Sequence, residues 1–200
     1  LSASDVDDAD LEYTASLDGN GSISVDGTTL SIIPNLNYNG EISVSVTVSD
    51  GQSIDTGSFT LTVNAVNNAP ILDAIGDQTT NEDVPFIYTL SASDVDQDAL
   101  SYSVVIVSGN ASYDLVDNQL TITPGLDYFG DIVLSVAVYD GTLADSQTFT
   151  LTVLPVNDSP EASTIDDLVV DEDSDPISID LSTVFSDVDS QDLFYSAEEN

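Results

Sequence analysis

The chain repeats itself, and repetition at domain length commits each copy to the same fold. Leu1-Ser-Ala-Ser-Asp-Val-Asp7 returns as Leu90-Ser-Ala-Ser-Asp-Val-Asp96, and Ser186-Asp-Val-Asp189 is a third copy of its end. Asn37-Tyr-Asn-Gly40 matches Asp127-Tyr-Phe-Gly130, Asp50-Gly51 matches Asp140-Gly141, and Phe59-Thr-Leu-Thr-Val63 matches Phe149-Thr-Leu-Thr-Val153. The spacing is 89 residues from Leu1 to Leu90 and 90 from Asn37 to Asp127. Val66-Asn-Asn-Ala-Pro70 likewise returns as Val156-Asn-Asp-Ser-Pro160, and Asn81-Glu-Asp83 as Asp171-Glu-Asp173. Division at the Asn-Pro linkers predicts residues 1–66 as a repeat lacking its first strands, 67–156 as a whole repeat and 157–200 as the start of a third. With no initiating Met and no signal peptide, the expectation is a processed chain or an excerpt of a longer array.

Within a repeat the apolar period is two. Ile42, Val44, Val46 and Val48 alternate with Ser43, Ser45, Thr47 and Ser49, which predicts a strand with one buried face. No long helical stripe exists, and Gly, Asn and Asp break the chain at short intervals. In the whole repeat, strands are expected near 71–79, 85–92, 100–107, 112–116, 119–123, 131–139 and 147–153. Seven short antiparallel strands imply an all-β fold: tandem Greek-key sandwiches of immunoglobulin or cadherin type. Tyr38 and Tyr128 precede the sixth strand, where such sandwiches carry a Tyr that bonds back to the backbone; plain core packing fits them equally well.

Charge narrows the chemistry. Lys, Arg, His, Cys, Met and Trp are absent, and 37 of the 200 residues are Asp or Glu, giving a formal charge of -37. At 41% hydrophobic residues the chain can still bury cores, provided counter-ions screen its self-repulsion. Calcium takes roughly 6–8 oxygen ligands and suits this side-chain set, whereas zinc and copper sites need His or Cys. Without basic residues the chain has no charge with which to grip phosphates, which excludes nucleic acid and anionic membrane as direct partners. No apolar run approaches the roughly 18 residues of a membrane-spanning helix.

Strand counting predicts where the acids meet. Chain direction reverses at each strand, so the turn holding Asn81-Glu82-Asp83 falls at one end of the sandwich. The run Asp94-Val-Asp96-Gln-Asp98 falls at the other end, beside Asp140 after the sixth strand. For the second junction this gathers Glu82, Asp83, Asn157, Asp158, Asp187 and Asp189. For the first it gathers Asn67, Asn68, Asp94, Asp96 and Asp140, without an upper Glu-Asp turn, so weaker calcium binding is expected there. Most of the other carboxylates are solvated surface groups. An EF-hand does not fit, because the sixth position from Asp94 is Ala99 and the twelfth is Val105, where Gly and Glu are required. The Gly-rich nonapeptides of calcium-binding β-rolls are also missing.

Val-Asn-Asn-Ala-Pro, Asn-Glu-Asp-Val-Pro, Ser-Asp-Val-Asp-Gln-Asp-Ala-Leu-Ser-Tyr and the closing Asp-Gly, in that order, resemble the bacterial cadherin-like tandem repeats of very long surface adhesins and biofilm proteins. The resemblance covers the whole chain. It implies that Glu82 is the family's first-strand glutamate, that Asn67, Asn68, Asn157 and Asp158 are linker ligands, that Asp94 and Asp96 are the paired aspartates, and that Asp140 is the late aspartate. The chain departs from the pattern at Asn68, where the linker often carries Asp, and in a three-residue insertion between Asp173 and Asp187.

The functional expectation is a secreted or cell-surface module in which Ca2+ at each linker stiffens an array used in adhesion or biofilm. Its partners are neighbouring repeats, and also other copies in a fibre or a surface glycan or protein. A self-assembling filament and a calcium-dependent carbohydrate-binding module are the alternatives. An enzyme is not expected: only paired-carboxylate chemistry is open to this residue set, and the acids cluster at domain ends with no Trp platform for a sugar.

Overall fold

A computed structural model describes residues 1–7, 10–190 and 192–196. The chain divides into two compact units, one of Leu1–Ala69 with Asp94–Asp98, the other of Pro70–Ser93 with Ala99 onward.

In the first unit, β1 (Glu12–Leu17), β4 (Gly40–Ser49) and β5 (Ile54–Val63) form one antiparallel sheet, and β2 (Gly21–Asp26) pairs with β3 (Thr29–Pro34) in another. The expected alternation holds in the first half of β4, with Ile42 and Val44 buried and Ser43 exposed, whereas Ser45 to Ser49, Val46 and Val48 included, are all half-buried.

The second unit holds the whole repeat. Its elements are β6 (Ile71–Leu72), β7 (Gln78–Asn81), β8 (Phe86–Thr89), β9 (Ala92–Ser93), β10 (Ser101–Ser108), β11 (Ala111–Val116), β12 (Gln119–Pro124), β13 (Gly130–Tyr139) and β14 (Ala144–Leu154). One sheet runs β10-β13-β14-β7 and the other β11-β12-β8, with β6 paired to β9. Ile132, Leu134, Val136 and Val138 on β13 and Phe149, Leu151 and Val153 beside them on β14 pack with Leu120 and Ile122 on β12 of the other sheet in a single apolar cluster that also holds Leu72 and Leu90. Thirteen buried apolar side chains give this sandwich its stability, at roughly 1.5–3 kcal/mol for each large one.

The expected first strand, 71–79, is not continuous. It opens as β6 beside β9 and then crosses to the other sheet as β7, which runs parallel to β14. Similarly, 85–92 resolves into β8 and β9. Both Tyr residues make the backbone bond: Tyr38 donates to Glu41 O at 2.7 Å and Tyr128 to Asp131 O at 2.9 Å. Gly40 and Gly130 follow with φ of +131° and +125°, a conformation that strains any residue with a side chain, and the Tyr hydroxyl stands where a Gly40 Cβ would have to fit.

The segment after Leu154 contributes β15 (Glu161–Ala162), a 3-10 turn at Leu181–Thr183 capped by Asp180, and β16 (Phe185–Ser186), which pairs with β15. Residues 197–200 of the expected third repeat lie outside the described residues.

Candidate metal centre

β7 delivers Glu82. The Glu82 N–H continues the parallel ladder to Leu154 O at 2.9 Å, and its Oε1 accepts the N–H of Val156 at 2.6 Å, so one residue ties the end of β7 to the start of the linker. These bonds draw the side chain in until only 2% of it is exposed. Its other oxygen, Oε2, is buried and accepts no hydrogen bond among the described residues. A buried carboxylate oxygen without a donor is costly unless something else neutralises it.

What faces it is more negative charge. Glu82, Asp158 and Asp189 each place an oxygen within 4.8 Å of the others. Asp83, Asp127 and Asp158 form a second such group, so Asp158 belongs to both. Asp83 and Asp127 sit in tight turns at φ of 59° and 51°, a left-handed conformation that Asp tolerates, and Asp83 accepts the Asp127 N–H at 3.3 Å. Asp158 Oδ2 is also buried without a partner among the described residues. Burial, and then the charges of Asp127, Asp189, Asp83 and Glu82, push the Asp158 carboxyl above the usual aspartate value.

The Asp-Val-Asp loops hold their linkers in the same way at two places. Asp96 Oδ2 accepts the N–H of Asn68 at 2.7 Å, and Asp189 Oδ2 accepts that of Asp158 at 2.6 Å. The first aspartate of each loop folds the loop itself: Asp94 Oδ1 accepts from Asp96 N at 2.7 Å, and Asp187 Oδ1 from Asp189 N at 2.9 Å and Ser190 N at 2.8 Å. Asp94, Asp96 and Asp98 form the third carboxylate group, and Asp94 Oδ2 is buried and unpartnered among the described residues.

Among the expected site residues, Glu82, Asp83, Asp158 and Asp189 thus come together in the second unit, and Asp94, Asp96 and Asp98 come together in the first. Asp187 is not in the three-carboxylate groups; its Oδ1 shapes its own turn. Asn157 donates its side-chain amide to Asp158 O at 2.6 Å. Asn67, beside Asn68, belongs to the first unit. Asp140 Oδ1 accepts from Thr142 N at 2.6 Å and Leu143 N at 2.7 Å, as Asp50 Oδ1 does from Gln52 and Ser53. Asp127 did not figure in the sequence expectation. Its motif drew notice for Tyr128 alone, and the visible signal was the change from Asn37 in one copy to Asp127 in the other.

The donor set of both groups in the second unit is carboxylate oxygen alone, with Oε2 of Glu82 and Oδ2 of Asp158 left over from all hydrogen bonding among the described residues. Such a set suits a hard divalent cation. A family model described as a cadherin-like domain matches residues 1–64 and 66–154. The chain belongs to the cadherin-like domain family. Among solved structures, human protocadherin-24 EC1-2 is 17% identical over 78% of this chain and 87% of that one, with a TM-score of 0.50. Human mucin-like protocadherin EC1-2 is 20% identical over 72% and 85%, at 0.48. An endo-fucoidan hydrolase of glycoside hydrolase family 107 is 20% identical over 72% of this chain at 0.35, and the chain spans only 23% of its length. At these identities the protocadherin-24 likeness speaks for the sandwich fold, and the other two are looser. No curated sequence resembles the chain closely enough to count as a relative. No helix among the described residues is long and apolar enough to cross a membrane.

Proposed function

We propose that the chain is a structural, adhesion-type extracellular module whose repeats, 1–66, 67–156 and the one beginning at 157, are coupled by Ca2+ held at their linkers. One ion takes Glu82, Asp158 and Asp189; a second takes Asp83, Asp127 and Asp158, so that Asp158 bridges the two. The observation that carries this reading is Glu82 Oε2, buried, unpartnered among the described residues and set among carboxylates. An ion there supplies the positive charge that a chain without Lys, Arg or His cannot supply itself. It also fastens three separate pieces of chain: the end of β7, the linker and the Asp-Val-Asp loop of the following segment.

In this reading the role is mechanical, the tethering or projection of a surface array, and the residues perform no chemistry. Asp94, Asp96 and Asp98, with Asn67, Asn68 and Asp140, are proposed as the ligands of the preceding junction.

The decisive experiment is calorimetric titration of the chelator-stripped chain with Ca2+ at physiological ionic strength. Saturable uptake that Glu82→Ala weakens supports the proposal; absence of uptake in the unsubstituted chain overturns it.

A further inference from the structure

The attachment of the first strand of the whole repeat to β14 points to a function that needs no ion. Because β7 and β14 are parallel, the chain enters at one end of their shared track and leaves at the other. Tension between Ile71 and Leu154 therefore pulls the two strands past each other along their length. Such a pull loads every cross-strand bond at once, whereas strands peeled from an end lose their bonds one at a time.

The track is longer than the backbone pairing of Gln78–Asn81 with Leu151–Leu154. Where residues 72–77 cross between sheets and make no ladder to β14, side chains take its place. Asp145 Oδ2 accepts the N–H of Leu72 at 2.9 Å. Gln147 bonds twice, donating from Nε2 to Leu72 O at 2.7 Å and accepting the N–H of Ile75 at Oε1 at 3.2 Å. Asp77 Oδ1 accepts the N–H of Thr150 at 2.8 Å. At the far end the backbone and Oε1 of Glu82 close the track on Leu154 and Val156. The bonds advance in step along both segments, from Leu72 opposite Asp145 to Glu82 opposite Val156.

We infer that Asp145, Gln147 and Asp77 form a shear clamp that sets how long the whole repeat survives under tension. The position matching Gln147 in the first copy is Gly57, so a repeat with glycine there lacks the two-bond member.

Pulling the full 200-residue chain by its ends at constant force, in chelator at physiological salt, tests the clamp without any contribution from bound ions. Gln147→Gly and Asp145→Ala are each expected to shorten the lifetime of the whole repeat about tenfold, because forced unfolding is governed by the unfolding rate. Tyr113→Phe is the control: it deletes the 2.6 Å bond to Val104 O, away from the track, and should change the lifetime less than about twofold at a similar loss of stability in urea. Should Gln147→Gly fail to fold, Gln147→Ala and Asp77→Ala give the same comparison. Lifetimes that follow urea stability alike for the track variants and for Tyr113→Phe would overturn the clamp.

Discussion

Phe59 and Phe149 occupy the same place in two identical copies of Phe-Thr-Leu-Thr-Val, yet Phe59 is 45% exposed and Phe149 2%. Their own strands do not account for the difference, since β5 pairs with β4 as β14 pairs with β13, in matching register. What distinguishes them is the first part of the repeat. In the second unit β7 lies along β14, β8 lies along β12, and Tyr88 stacks on Phe149 with ring centroids 6.3 Å apart. Among the described residues the first unit has no counterpart of β7 or β8. The alternating pattern decides which face of a strand is apolar; a distant strand decides whether that face becomes core.

The sharpest way to break this comparison is to truncate both rings. Phe149→Ala should cost about 3–5 kcal/mol, by transfer and cavity together. Phe59→Ala should cost less than about 1 kcal/mol, because its site is already open to water. Urea unfolding, with hydrogen exchange to assign the loss to each unit, measures both. Equal losses would mean that the first unit builds a closed core by other means.

The carboxylate groups invite the same comparison. Glu82 belongs to the group with Asp158 and Asp189 and not to that of Asp94, Asp96 and Asp98, so a substitution there should separate the two proposed cation sites. Glu82→Ala is expected to weaken the tightest Ca2+ binding step roughly tenfold or more and to leave the site containing Asp94, Asp96 and Asp98 unchanged. Calorimetry of Glu82→Ala beside Asp94→Ala resolves the two; loss of the same binding step in both variants would show that the two carboxylate groups are not separate sites.

Much of this was legible in the sequence, for a physical reason: period-two alternation and turn residues are local signals, and repetition multiplied them. Strand existence followed from the alternation of Ile42 to Val48 and its repeat, and the meeting of Glu82, Asp158 and Asp189 followed from counting chain reversals. The split of 71–79 into β6 and β7 was not legible, because a strand that changes sheets keeps its extended backbone and shows no break in pattern. Nor was Asp127. Its carboxylate reaches Asp83 through a left-handed turn, and the motif containing it advertises a tyrosine. The two hydrogen bonds from Gln147 were equally hidden: it shares the inward face of Phe149 and Leu151, but nothing local shows which segment will cross beside its amide.

Acidity gives a third contrast, between Asp158 and Asp50. The Asp158 carboxyl is held above the ordinary value of 3.8 by burial and by its acidic neighbours. In the cation-free chain its contribution to stability is therefore full below 3.8 and is lost as pH rises through the elevated value. Asp50 is the reverse: the backbone N–H groups of Ser53 and Gln52 lower it, so its contribution is present above 3.8 and is lost as pH falls through the depressed value. In chelator, Asp158→Asn should therefore gain on the unsubstituted chain as pH climbs above 3.8, while Asp50→Asn should lose its disadvantage as pH drops below 3.8. Melting curves across pH test this, and parallel curves for either pair would remove the assigned cause. Saturating Ca2+ should abolish the gain of Asp158→Asn, since the ion favours the charged form that protons oppose.

The smallest effect asks where the two units are alike. Tyr38 and Tyr128 each close a four-residue turn with one hydrogen bond to a backbone carbonyl, to Glu41 and Asp131, and neither bond involves β7, β8 or a counterpart of them. Tyr38→Phe and Tyr128→Phe should therefore each cost about 1 kcal/mol, the net worth of one such bond, and should cost it equally. Hydrogen exchange at Gly40 and Gly130 in each variant reads the loss locally. A markedly smaller cost at Tyr38 would show that the open face of the first unit loosens even the turns that its own sequence builds, and the division between local turns and long-range core would then have to be redrawn.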